Sequence, residues 1–128
     1  MTEQEWTERR GARRAKVRFH AIEHRGEQSY VHPVVYLSAT GMLLRDASFT
    51  LERFLDAADV SLEFGLPGLT RNFTVKGRIV RLEPTDEGEP GVGVEFVGLD
   101  SRDAEAIDAY VRGVLDGEAA ARKEMGSV

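Results

Sequence analysis

The residues best suited to chemistry in this chain are basic ones near its N-terminus. Six of them fall within ten residues although the whole chain has a formal net charge of -5, namely Arg9, Arg10, Arg13, Arg14, Lys16 and Arg18. A guanidinium can bind phosphate oxygens bidentately, read guanine O6 and N7, and stack on a purine face. Because the positive charge is local, it favours a single anion-binding site over long-range electrostatic steering of polyanions.

A second pattern is the segment Tyr36-Leu37-Ser38-Ala39-Thr40-Gly41. Ser38 can donate a hydrogen bond to phosphate, and Gly41 lets the backbone approach a partner closely or take a positive φ. Taken alone, Ser-x-x-Gly is an ordinary strand end, and an arginine-rich stretch is more often a solvated arm. The two patterns therefore carry weight only in combination.

In combination, the two patterns resemble the PilZ family of cyclic di-GMP receptor domains. That family has an Arg-x-x-x-Arg pair just before its first strand, which Arg10 and Arg14 match, and Arg9 precedes the pair as it does in many members. Arg9 with Arg13 offers a second register that the sequence leaves open.

The second motif of the family reads Asp or Asn, any residue, Ser, any two residues, Gly. Ser38 and Gly41 match it, and Tyr36 departs from it. A carboxylate or amide oxygen at this position would accept hydrogen bonds from guanine or orient an arginine, and a phenol does neither well. Tyr36 can instead stack on a base or donate its hydroxyl.

The elements that must position these residues read mainly as strands. Apolar and polar residues alternate from Lys16 onward, and a turn follows at Arg25-Gly26-Glu27. Pro33 cannot donate to a ladder, which indicates an edge position or a bulge. Further predicted strands are 30–37, 42–44, 60–64, 73–82 and 92–96, with a register shift near Gly77.

Two segments have helical spacing. Phe49 to Ala58 is predicted as a short helix capped by Thr50. A second, amphipathic helix is predicted to begin at a Ser101 cap and either to end at Gly117 or to extend into the polar tail. Several strands followed by one such helix predict a mainly β fold, and the resemblance implies an antiparallel six-stranded β-barrel with a C-terminal helix.

Length and composition bound the organisation. With 128 residues, 41% hydrophobic and 30% charged, the chain suits one domain. We divide it into a flexible basic arm at 1–14, the barrel and helix at 15–117, and a polar tail at 118–128. The absence of cysteine agrees with a reducing compartment, and no signal peptide or membrane span is evident, so a cytoplasmic location is predicted. A pI near 5.2 argues against general nucleic-acid binding.

Signs of catalysis or metal binding are weak. Gly91-Val92-Gly93 opens a strand and not a helix, so it is no dinucleotide fingerprint. Ser38 lacks a nucleophile elbow, and the carboxylates, scattered through turns and helix faces, are explained by solvation. His20, His24 and His32 lack ligand spacing and are predicted to lie on the surface. We predict no enzyme, no metal and no cofactor.

The resemblance extends over roughly Arg9 to Leu115 and implies a bacterial signalling receptor or adaptor for the second messenger cyclic di-GMP. The implied ligand-binding residues are Arg9, Arg10, Arg14, Tyr36, Ser38 and Gly41. Such a receptor would also act on a protein output partner. The alternative is a degenerate barrel that binds no ligand and serves as a protein interaction module. A weaker alternative, binding of the arm to nucleic acid or acidic lipid, predicts steeply salt-dependent affinity for many polyanions.

Overall fold

A computed structural model describes residues 13–45 and 59–126, with side chains described through residue 121. The predicted helix at Phe49 to Ala58 lies outside the described residues. The described residues form six strands and one helix, namely β1 (Arg14–Arg25), β2 (Gln28–Ser38), β3 (Gly41–Arg45), β4 (Asp59–Gly65), β5 (Asn72–Leu82), β6 (Gly91–Val97) and α1 (Ser101–Gly126). Every strand predicted from alternation is present within about two residues of its predicted bounds.

The six strands form a closed barrel in the order β1-β2-β3-β6-β5-β4, and all neighbouring strands are antiparallel. β1 and β2 form a hairpin whose turn contains Gly26 at a φ of 59°, as the Arg-Gly-Glu sequence predicts. The barrel is closed by pairing of β1 with β4, for example Ala21 with Phe64. The predicted antiparallel six-stranded barrel with a C-terminal helix is confirmed.

The irregularity predicted in β5 exists but lies further along the strand. Gly77 is in register with both Val60 and Phe96, and the register shifts between Ile79 and Arg81. A Cβ at Gly77 would lie 2.5 Å from Val94 Cγ1. The prediction of a bulge near Gly77 was therefore wrong in position, because this glycine serves close packing and not a change of register.

Pro33 lies at the end of the β2–β3 ladder, where its missing N–H is tolerated. It pairs with His20 of β1, while β2 pairs with β3 only from Val34 to Leu37. Pro33 therefore lies just outside the ladder that β2 shares with β3, so no bond to β3 is lost there.

The core fills the barrel and continues under the helix. Phe64 is its centre, with its ring centroid 5.4 Å from that of Phe73, 6.0 Å from Phe19 and 6.3 Å from Phe96. Inward residues of all six strands join it, and α1 buries Ile107 and Val111 against the same cluster. Burial of an aromatic or large aliphatic side chain is worth about 1.5–3 kcal/mol each, so this cluster supplies the main stabilising term.

The ends of α1 differ from the sequence prediction. Asp100 caps the helix, since its Oδ1 accepts the N–H of Asp103 at 2.8 Å, so the prediction of a Ser101 cap was wrong by one residue. The helix passes through Gly117 and continues to Gly126, following the second of the two predicted courses. The run of alanines after Gly117 explains the extension, because alanine has the highest helix propensity. No helix in the described part of the chain is long and apolar enough to cross a membrane.

Two glycine substitutions test this packing. A Cβ at Gly41 would lie 2.2 Å from the carbonyl oxygen of Val94, whereas a Cβ at Gly117 meets nothing within 4 Å. We expect Gly41→Ala to lower the free energy of unfolding by about 1–3 kcal/mol through overpacking. Gly117→Ala should raise it by up to about 1 kcal/mol through helix propensity. Urea unfolding measures both, and an unchanged stability of Gly41→Ala would contradict the close approach of β3 to β6.

Candidate functional site

Strand alternation places the described residues of both sequence motifs on the outer side of the barrel. Leu37 and Met42 point into the barrel interior, so their neighbours Tyr36, Ser38 and Leu43 lie on its outer side, where Tyr36 is half-buried and Ser38 and Leu43 are buried. The strand pairings then align one outward residue from each of five adjacent strands, which we call the outer row: Lys16, Tyr36, Leu43, Gly93 and Arg81. Strands distant in sequence thus contribute to one surface.

Arg14 is the first residue of β1 and pairs with Ser38 at the end of β2. Its Cζ lies 4.2 Å from the ring centroid of Tyr36, a cation–π contact. Its Nη1 donates to Glu83 Oε2 at 2.8 Å. The guanidinium is therefore positioned between an aromatic face and a carboxylate beside the outer row. The last residue of the predicted arm is already part of the barrel, because it joins the β1–β2 ladder.

Tyr36 brings a second carboxylate to this surface. Its hydroxyl donates to Asp86 Oδ2 at 2.5 Å, and Lys16 Nζ lies 3.8 Å from the same oxygen. The hydrogen bond to Asp86 raises the pKa of the Tyr36 phenol, with further contributions from burial and from the charge of Asp86. The residue that departs from the family motif therefore supports Arg14 with its ring and holds a carboxylate with its hydroxyl.

Ser38 and Gly41 build the turn between β2 and β3. Ser38 Oγ accepts the backbone N–H groups of Thr40 at 3.2 Å and of Gly41 at 3.1 Å, and its hydroxyl lies 3.3 Å from the Gly41 carbonyl oxygen. Gly41 permits close approach to the backbone of Val94. The Ser-x-x-Gly spacing thus has a structural role in the turn beside Arg14.

Glu83 binds one arginine from each end of the outer surface. Its Oε1 accepts a hydrogen bond from Arg81 Nε at 2.8 Å, and its Oε2 accepts one from Arg14 Nη1 at 2.8 Å. Burial raises the pKa of the Glu83 carboxyl, but the hydrogen bonds and positive charges of Arg14 and Arg81 outweigh it, so the pKa is lowered below its usual range. Glu83 is therefore ionised at neutral pH and bridges two arginines.

Arg81 lies flat over β6. A Cβ on Gly93 would lie 2.8 Å from Arg81 Cγ and 3.2 Å from its Cζ, so the absence of a side chain at Gly93 makes room for this arginine. Arg81 Nη1 is buried and has no hydrogen-bond partner within the described part of the chain. A groove of about 290 Å³ opens nearby, between the outward residues of β1 and β2 and the loop that follows β5, and it is lined in part by Lys16 and Asp86.

The structure brings together four of the six predicted ligand-binding residues, namely Arg14, Tyr36, Ser38 and Gly41. Arg9 and Arg10 lie outside the described residues. Arg13, from the alternative register, is described just before β1 and is exposed.

Sequence reasoning missed Arg81, Glu83 and Asp86. It attributed the carboxylates to solvation, which is wrong for Glu83 because two arginines bind it and its side chain is only 26% exposed. The spacing of Arg81 and Glu83, two residues apart at a strand end, was the available signal, since such residues share one face.

The histidines divide into two groups. His20 and His24 are exposed, as predicted. His32 is buried and lies 2.9 Å from Glu23, which is buried too, so the prediction of a surface position was wrong for this residue. Alternation turns His32 inward together with Val34. No group of three or more His, Asp or Glu side chains that could hold a metal ion occurs among residues 13–45 and 59–126.

Comparison with known families identifies the class of this fold. The model of the PilZ domain matches residues 8–113, so the chain belongs to the PilZ family, a family of cyclic di-GMP receptor domains. A search among curated protein sequences returned no match.

Solved structures share the fold at low sequence identity. The chain is similar to the Bacillus subtilis inhibitor of motility MotI/DgrA, with a TM-score of 0.68 and 17% identity over 84% of this chain and 52% of that protein. It is similar to the PilZ domain of Escherichia coli YcgR with c-di-GMP, with a TM-score of 0.58 and 14% identity over 94% of this chain and 99% of that domain.

A third similar structure is Borreliella burgdorferi PlzA in complex with c-di-GMP, with a TM-score of 0.60 and 10% identity over 91% of this chain and 55% of that protein. The chain thus spans about half the length of MotI/DgrA and PlzA and nearly all of the isolated YcgR domain.

The lowered pKa of Glu83 predicts a pH-dependent contribution to stability. The unfolded carboxyl titrates near its ordinary value of 4.5 and the folded one below it. The stabilisation is therefore fully present above pH 4.5 and is lost as the pH falls through the folded pKa. We expect Glu83→Gln to lower the free energy of unfolding by about 1 kcal/mol at pH 7, with a smaller difference below pH 4.5.

Urea unfolding of both proteins between pH 3.5 and pH 7 measures this difference. Glu89→Gln is the matched control, because Glu89 bears the same charge near Glu83 but forms an exposed pair with Arg45 at 3.2 Å. The control should change stability by less than about 1 kcal/mol throughout. A Glu83→Gln effect that is independent of pH would show that the charge of Glu83 is not what stabilises the fold.

Proposed function

We propose that this chain is a cyclic di-GMP receptor that holds its ligand against the outer surface of the barrel beside Arg14. One observation carries the proposal. Arg14, Tyr36, Ser38 and Gly41 come from two motifs more than twenty residues apart in sequence, and strand pairing brings them to one outer surface. The PilZ domain of YcgR and PlzA, which share this fold, were solved with c-di-GMP.

The proposed roles follow from the chemistry of each group. Arg14 binds a phosphate or the O6 and N7 atoms of guanine, and Arg9 and Arg10 add guanidiniums from the segment before β1. Tyr36 offers an aromatic face for a base once Arg14 has moved onto the ligand. The turn from Ser38 to Gly41 forms the surface against which the ligand lies.

The proposed function is signalling and not turnover, since PilZ domains are binding and adaptor domains. Ligand binding would draw residues 1–13, which precede β1, onto the barrel and change the surface offered to a protein output partner in the cytoplasm. We expect hydrogen exchange of residues 1–13 to slow when cyclic di-GMP is added, because new contacts protect their amides. Unchanged exchange at saturating ligand would contradict this coupling.

The degenerate barrel remains the second candidate because one observation favours it. In the structure the Tyr36 ring faces Arg14, the Tyr36 hydroxyl is bonded to Asp86, and Arg14 is paired with Glu83. The groups of the proposed site thus satisfy one another without any ligand. A barrel of this kind would serve as a protein interaction module.

Calorimetric titration with cyclic di-GMP separates the two candidates. We expect saturable binding by the natural chain, weakened at least about tenfold in Arg14→Ala because charge-assisted hydrogen bonds are lost. Arg112→Ala is the matched control, since it removes the same charge from an exposed pair with Asp108 on α1. GTP is the ligand control. Absence of heat together with an unmoved melting temperature would favour the interaction module.

A further inference from the structure

Two arginines from opposite sides of the outer surface converge on one carboxylate. Arg14, from the start of β1, and Arg81, from the end of β5, each lie 2.8 Å from a different oxygen of Glu83. A carboxylate and a phosphodiester both present a pair of negatively charged oxygens, and arginine recognises either one. The two guanidiniums are therefore already spaced to bind one anion that presents two oxygens.

Arg81 has the features of a binding group that its present partner does not fully use. Glu83 accepts a hydrogen bond from Nε, while Nη1 is buried and has no hydrogen-bond partner among residues 13–45 and 59–126. A buried polar atom left without a partner costs about 1–3 kcal/mol, and more when the group is charged. Cγ, Nε and Cζ of Arg81 all lie over Gly93, and Nε is directed to the carboxylate that Arg14 also binds.

We infer that Arg14 and Arg81 form a phosphate-binding site, and that the Glu83 carboxylate occupies this site until a phosphate of the ligand displaces it. This inference rests on the proposed function and adds two residues to it. Arg81 is a further ligand-binding residue, supplied by a strand far from both sequence motifs. Glu83 is an internal competitor that lowers the affinity for phosphate, because its charge must be separated from both arginines before the ligand can bind.

The inference predicts opposite effects of two neighbouring substitutions. Glu83→Gln keeps the shape of the side chain and removes the competing charge, so cyclic di-GMP should bind about tenfold more tightly. Arg81→Met keeps an apolar stem over Gly93 and removes the guanidinium, so the ligand should bind about tenfold more weakly. Asp108→Asn and Arg112→Met, which alter an exposed pair at 3.0 Å on α1, are the matched controls and should leave affinity within about twofold.

Calorimetry with cyclic di-GMP gives the affinities, and melting temperatures verify that each variant is folded. A measurement on the natural chain needs no substitution: the Nε–H resonances of Arg14 and Arg81 should both shift when ligand displaces Glu83. If the natural chain binds cyclic di-GMP but Glu83→Gln binds it equally or more weakly, or if the Arg81 resonance stays fixed, the inference is overturned while the proposed function stands.

If the natural chain does not bind cyclic di-GMP, the proposed function fails and inorganic pyrophosphate decides the inference separately. Pyrophosphate offers phosphate oxygens without bases or sugars. Tighter binding of pyrophosphate by Glu83→Gln than by the natural chain, lost when Arg81→Met is added, would support a phosphate site masked by Glu83. Equal or absent binding by both proteins would overturn it.

Discussion

Closure of the barrel is the constraint on which the other features depend. Once β1 pairs with β4 as well as with β2, the register of each strand is fixed by two neighbours, and a slip by one residue would turn Phe64 and the other inward side chains toward water. The same register dictates which side chains point outward. The outer row therefore follows from the core, because the residues next to it along each strand point into the barrel.

Closure also explains why the candidate site is shared among so many strands. Lys16, Tyr36, Leu43, Gly93 and Arg81 come from five consecutive strands of the barrel. Gly93 gives Arg81 the room to lie against β6, and the chain after β5 returns Glu83 and Asp86 toward β1 and β2. The result is a surface of alternating positive and negative groups, in which each arginine lies beside a carboxylate or an aromatic ring.

This balance of charge distinguishes the surface from a simple basic patch. The sequence concentrates positive charge before β1, yet in the folded protein Arg14 faces Glu83, and Lys16 lies near Asp86. Tyr36 takes part in both arrangements, since its ring contacts Arg14 and its hydroxyl binds Asp86. An anion must compete with these internal partners, so affinity depends on the loop after β5 as well as on the arginines.

The sequence by itself determined the strands, the order of elements and the two motifs, because alternation, turn residues and residue spacing are local properties of the chain. It also indicated the family, through the combination of Arg10 and Arg14 with Ser38 and Gly41. It placed the β5 bulge and the cap of α1 less accurately. The position of a register shift, and the choice between Asp100 and Ser101 as the cap, depend on contacts with residues a few positions away. Only the tertiary structure decided that His32 is buried and that Glu83 bridges Arg14 and Arg81. The physical reason is that strand pairing between segments distant in sequence decides which charged side chains meet, and a local sequence pattern does not specify that pairing.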